Sequence, residues 1–164
     1  MQRLVSALIL SCIDYCNSVL AGLPATTLTP LQRVMHAAVC LVANLCFRDP
    51  VAQSMQALHW LPVIYRIKYK LCLMMFDAVN RRSPDYIIEA LVPTSSLSNR
   101  AQLQSSTSGA LDVPRVQTQF ERRAFSSAGP AAWNDLPVVI RTADNITSFK
   151  RNLKAHLFHN AYTR

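Results

Sequence analysis

At 164 residues the chain can bury one core or two small lobes, and 51% hydrophobic against 16% charged residues leaves apolar surface to meet a partner or the rest of a larger polypeptide. Seventeen Lys and Arg against nine Asp and Glu give a net charge of +8, which attracts a polyanion without naming one. Five cysteines, an odd number without paired spacing, argue against a secreted disulfide framework and for free thiols in an intracellular compartment, nucleus or cytoplasm.

The start, Met1-Gln2-Arg3 before an apolar run from Leu4 to Ile13, mimics a signal peptide. Asp14 closes that run too early to span a bilayer, and no membrane segment is expected. From Arg3 to Leu20 the apolar positions share one wide arc of a helical wheel, which predicts a core-facing helix stopped by Gly22 and Pro24. A second helix is predicted from Pro30, capped by Thr29, and a short one after Asp49-Pro50 through Leu58. Pro62 opens the strongest pattern. Stripes Ile64-Ile67-Leu71-Met74-Ala78 and Tyr65-Tyr69-Cys72-Phe76-Val79 predict a bundle helix with Arg66, Lys70, Asp77 and Asn80 on its narrow exposed face. Ser83-Pro84 starts another short helix to about Leu91.

Half of the residues from Thr94 to Gly109 are Ser or Thr, which marks a linker or exposed loop. Beyond it, Gln102-Leu103-Gln104 and Leu111-Asp112-Val113 alternate as the strands of a small hairpin would. A short helix around Ala131 to Asp135 and a last one from Ser148 to Asn160, capped by Thr147, complete the chain. The fold class is mainly α: a helical bundle over 2–92, a linker over 93–110, and a smaller irregular α+β C-terminal region over 111–164.

Few residues offer chemistry. Cys12, Cys16, His36 and Cys40 could ligate a metal, but they belong to different faces of their helices and match no common finger, so buried thiols and no metal are expected. The three glycines stand alone, which rules out a glycine-rich phosphate loop, and no cofactor or small-molecule substrate is expected. His59 reads as a residue seating its turn, and Tyr65 and Tyr69 as core residues more than a base-stacking pair.

Two blocks stand out, Leu58-His59-Trp60-Leu61-Pro62 and Ala128-Gly129-Pro130-Ala131-Ala132-Trp133-Asn134-Asp135-Leu136-Pro137, each ending in Leu-Pro after a tryptophan. With Asp14-Tyr15-Cys16-Asn17, Leu31-Gln32-Arg33-Val34, Tyr65-Arg66-Ile67, Val113-Pro114-Arg115, Arg123-Ala124-Phe125-Ser126 and the closing Phe149-Lys150 to Leu157-Phe158, they occur in the order found after the polymerase domain of LINE-type (non-LTR) retrotransposon reverse transcriptases. Over nearly its whole length the chain resembles that region, of the jockey-like kind. Glu121 stands where relatives commonly carry glycine, which points to an altered turn.

The resemblance implies a thumb-like bundle followed by a C-terminal extension. The aromatic-x-Asp-Asp hairpin that clamps catalytic metals in such enzymes is missing, and no two acidic residues are adjacent, so no catalytic residue is expected. What remains is cationic. Arg66 and Lys70 on the central helix, and Lys150, Arg151 and Lys154 on the last, are the expected phosphate contacts to an RNA/DNA duplex, without sequence preference. The parent's polymerase palm is the other expected partner. The alternative is a helical protein-interaction module, or the unselected remnant of a decayed mobile element, with no nucleic-acid role.

Overall fold

The computed structural model describes residues 2–46, 48–94 and 109–163. Helices α1 (Gln2–Val5) and α2 (Ser11–Asp14) are joined by a π-helical turn, Ser6–Leu10. The backbone then breaks: Tyr15 is extended and Cys16 left-handed at φ 49° before a 3-10 turn, Asn17–Leu20. The remaining helices are α3 (Ala25–Ala43), α4 (Val51–Ala57), α5 (Val63–Val79), α6 (Asp85–Glu89), α7 (Gln119–Arg123), α8 (Phe125–Asn134), α9 (Val138–Arg141) and α10 (Ile146–Tyr162). The protein is mainly helical, and no described helix is long and apolar enough to cross a membrane.

Several boundaries differ from the sequence reading for identifiable reasons. The predicted continuous helix to Leu20 is interrupted, and only Val5, Leu10, Ile13 and the amide Asn17 are buried along it, while Leu4, Leu8 and Cys12 are exposed. A π turn takes more residues than an α turn, so an apolar arc drawn at the α-helical period points the wrong residues inward. Helix α3 begins five residues before Pro30, because Leu28 is buried and anchors an additional turn, and Thr29 Oγ1 bonds the Ala25 carbonyl instead of capping. It ends at Asn44, a left-handed C-cap. Helix α10 starts two residues early because Asn145 Oδ1 accepts from the Ser148 amide at 2.8 Å.

Of the predicted hairpin, Gln102-Leu103-Gln104 lies outside the described residues. Leu111 forms an isolated antiparallel bridge with Pro93, flanked by amide bonds from Thr94 to Ala110 and from Asp112 to Val92; no strand occurs among the described residues. The chain condenses into two units, Met1–Ile67 with Ala155–Arg164, and Lys68–Lys154. The division falls inside α5 and α10, and most of the linker read at 93–110 lies outside the described residues.

In the first unit Met35 and Val39 of α3 are fully buried, and α4 packs on α3 through Met55. Gln32 ties this unit together. Its Oε1 accepts the Val63 amide at 2.9 Å, which leaves its NH2 to donate to His36 Nε2 at 2.7 Å and to contact Met55 Sδ. In the second unit Phe149 is the hub, stacked on Phe76 with centroids 4.3 Å apart and tilted against Trp133 at 5.8 Å. Burying one such ring contributes about 1.5–3 kcal/mol.

Candidate nucleic-acid interface

Buried side chains dictate which cations face outward. On α10, Phe149, Leu153 and Leu157 recur every four residues and are wholly inaccessible, so Lys150, Arg151 and Lys154 turn to the surface, and all three are exposed. The helix contains no Asp or Glu between Ile146 and Tyr162. Among the described residues the ion pairs are Arg66 with Asp14 and Lys68 with Asp135, so none of these three cations is neutralised by one. Lys150 and Lys154, one turn apart, repel each other by a few tenths of a kcal/mol, which a bound polyanion would relieve.

Helix α5 treats its two predicted contacts differently. Lys70 is exposed and without an ion pair among the described residues. Arg66 does not share its face: the side chain is only 14% exposed, with Nη1 2.6 Å from Asp14 Oδ2 and Nε donating to the Leu61 carbonyl at 3.0 Å. A phosphate at Arg66 would have to compete with a carboxylate already in place. Asn17 completes that cluster by donating to Asp14 Oδ1, so Asp14 and Asn17 of the Asp14-Tyr15-Cys16-Asn17 motif serve the anchoring of Arg66. Lys68 and Lys70 belong to the second unit with Lys150, Arg151 and Lys154, whereas Arg66 belongs to the first.

The remaining candidates resolve into structural roles. His59 adopts a left-handed φ of 54° and lays its ring against Phe158 at 5.4 Å, seating the turn. Tyr65 donates its hydroxyl to the Asn160 carbonyl at 3.0 Å, and Tyr69 is held neutral above its usual range by burial. The thiols correct the sequence reading: Cys12, Cys16 and Cys46 are exposed, Cys40 is half-buried, and Cys72 alone is buried. The cause for the first pair is the π turn and the break at Tyr15–Cys16 described above. Burial pushes the Cys72 thiol up to about 12, which keeps it protonated and unreactive.

Two arginines outside the expected set carry unpartnered donors. Arg123 Nε, and Nε with Nη1 of Arg141, are buried without an acceptor among the described residues, and burial lowers the Arg141 pKa. A capping box could have signalled Arg123: Thr118 Oγ1 accepts from the Glu121 amide at 3.1 Å and Glu121 returns a carboxylate oxygen to the Thr118 amide. These bonds, the Thr118 amide first, hold the Glu121 carboxyl below its usual range, so Glu121 closes a helix start. A groove of about 520 Å³ lined by Thr94, Leu111, Asp112, Arg115 and Asn134 contains none of the expected phosphate contacts. No protein-family model, curated protein or solved structure matches the chain.

Proposed function

We propose that the chain is a non-catalytic C-terminal part of a jockey-like non-LTR retrotransposon reverse transcriptase, thumb-like in its first helices, that holds an RNA/DNA duplex through backbone phosphates and buttresses the parent's palm. One observation carries the holding role: Lys150, Arg151 and Lys154 stand exposed and without ion pairs among the described residues on a helix free of acidic residues. Lys70 adds a further exposed cation without an ion pair among the described residues, whereas Arg66 serves its own unit through Asp14. Such contacts bind any sequence and weaken steeply with salt, because each phosphate neutralised releases condensed counterions.

The buttressing role rests on a different surface. Leu4 and Leu8 are 64% and 66% exposed, with Cys12 exposed one turn further on, which is more bare apolar side chain than a helix in water favours. The same surface favours the second reading, a protein-interaction module without nucleic acid. Fluorescence anisotropy separates the two. The whole chain should bind a labelled RNA/DNA duplex at low salt, and K150A/R151A/K154A should flatten the dependence of log K on log salt by about 2–3. Absence of binding at low salt would refute the nucleic-acid role and leave the interaction module.

A further inference from the structure

Helix α7 presents an aromatic ring for which the fold has no use. Phe120 is 80% exposed, although a phenyl ring gains more from burial than almost any other side chain. It is not on a loose end: the Thr118–Glu121 capping box fixes the turn that carries it. Its neighbour one helical turn on, at the i+3 position, is the half-buried Arg123, and exposed Arg122 adds a second positive charge to the same short helix. The Glu121 carboxylate between them is turned onto the amides of Gln117 and Thr118. An exposed ring with a guanidinium group one turn away and a second on the same short helix is a combination that grips unpaired nucleotides, the ring stacking on a base face and the cations meeting the backbone phosphates.

Building on the phosphate-holding role proposed above, we infer that Phe120, with Arg122 and Arg123, is a stacking site for an unpaired base, so that the protein takes single-stranded nucleic acid at α7. A blunt duplex offers that ring no free base face. The other strongly exposed aromatic of this unit argues the point by contrast: Tyr86, 73% exposed on α6, has Asp85 beside it and Glu89 at i+3, a setting that repels phosphate. Exposure is common to the two rings, whereas the positive surroundings belong to Phe120.

The test uses the full chain with two fluorescein-labelled probes, an oligothymidylate of about 16 nucleotides and a blunt DNA duplex. F120A should weaken the single strand by roughly ten- to hundred-fold, leave the duplex unchanged, and be rescued by F120W, while Y86A changes neither. Because Phe120 is exposed, its removal leaves the core intact, and unaltered duplex binding by F120A verifies this. Single-strand affinity that survives F120A overturns the inference and reassigns the ring to a protein contact. An equal loss for both probes, or the same loss from Y86A, also overturns it. If the wild type binds the duplex in a salt-dependent way but F120A has no effect, only the stacking site falls; if neither probe binds, the phosphate-holding role falls with it.

Discussion

The two Trp–Leu–Pro corners share a signature and satisfy it in opposite directions. At Leu58–Pro62 the corner's backbone receives: the Trp60 carbonyl accepts the Tyr162 hydroxyl, the Leu61 carbonyl accepts Arg66 Nε, and the Val63 amide just beyond donates to Gln32 Oε1. At Trp133–Pro137 the corner's side chains reach out. Trp133 Nε1 donates to the Gly109 carbonyl at 3.0 Å, Asn134 takes both the Leu111 amide at 3.0 Å and the Leu111 carbonyl at 2.7 Å, and Asp135 pairs with Lys68. Asn134 thus stands in for a strand partner. The lesson is that one sequence signature can be tied down through its own backbone groups at one corner and through its side chains, serving distant backbone, at the other.

The contrast can be broken by substitution. Trp133→Ala should have the largest effect, about 3–5 kcal/mol in urea denaturation, since it empties the space beside Phe149 and frees the Gly109 carbonyl. Trp133→Phe should then destabilise more than Trp60→Phe, because the first corner engages its tryptophan through the carbonyl; equal losses would dissolve the distinction. Next in size, Asn134→Ala leaves two Leu111 backbone groups without their partner and should cost about 2–4 kcal/mol, against about 1–3 for Gln32→Ala, which frees one backbone group, the Val63 amide, together with His36 Nε2. Hydrogen exchange should localise the second loss to the start of α5, and protection of the Val63 amide in Gln32→Ala would count against the clamp.

The smallest effect is one of pH. Burial raises Tyr162 from 10.0 to about 12, opposed by the nearby Arg66 charge. A raised acid is neutral when folded, so its contribution is complete below pH 10 and is lost as pH rises toward 12. Cys72 drains stability in an overlapping range, from 9.0 to about 12, so the measurement is a difference. Thermal melts between pH 9 and 12 should fall less steeply for Tyr162→Phe than for the wild type, and parallel slopes would remove Tyr162 from the first corner.

Local signals proved the most legible. Pro50 and Pro62 mark the starts of α4 and α5 within a residue, and the doubly striped pattern of α5 places Ile67, Leu71, Cys72, Phe76 and Ala78 in the interior, although Ile64 of the same pattern is exposed. Pro30 and Pro130, by the same logic, misled, since both lie inside helices whose tertiary packing outweighs one missing amide. The capping box of α7 and the Asn145 cap of α10 were present in the sequence but unread. Of the expected phosphate contacts, the exposure of Lys150, Arg151 and Lys154 follows from helical spacing to Phe149 and Leu153. Arg66 does not, because its partner Asp14 is fifty-two positions away and no periodicity connects them.

Gly129 in α8 leads to a different kind of consequence. A Cβ there would lie 2.5 Å from Met75 Sδ, and Met75 is completely enclosed, so any larger residue forces a repacking worth about 1–3 kcal/mol. Every first- or second-base change in a glycine codon that leaves a sense codon inserts such a residue. Copies of the gene that drift unpoliced should therefore fill this position early, whereas a set of alleles that keeps it vacant is being screened for folding, and hence for use.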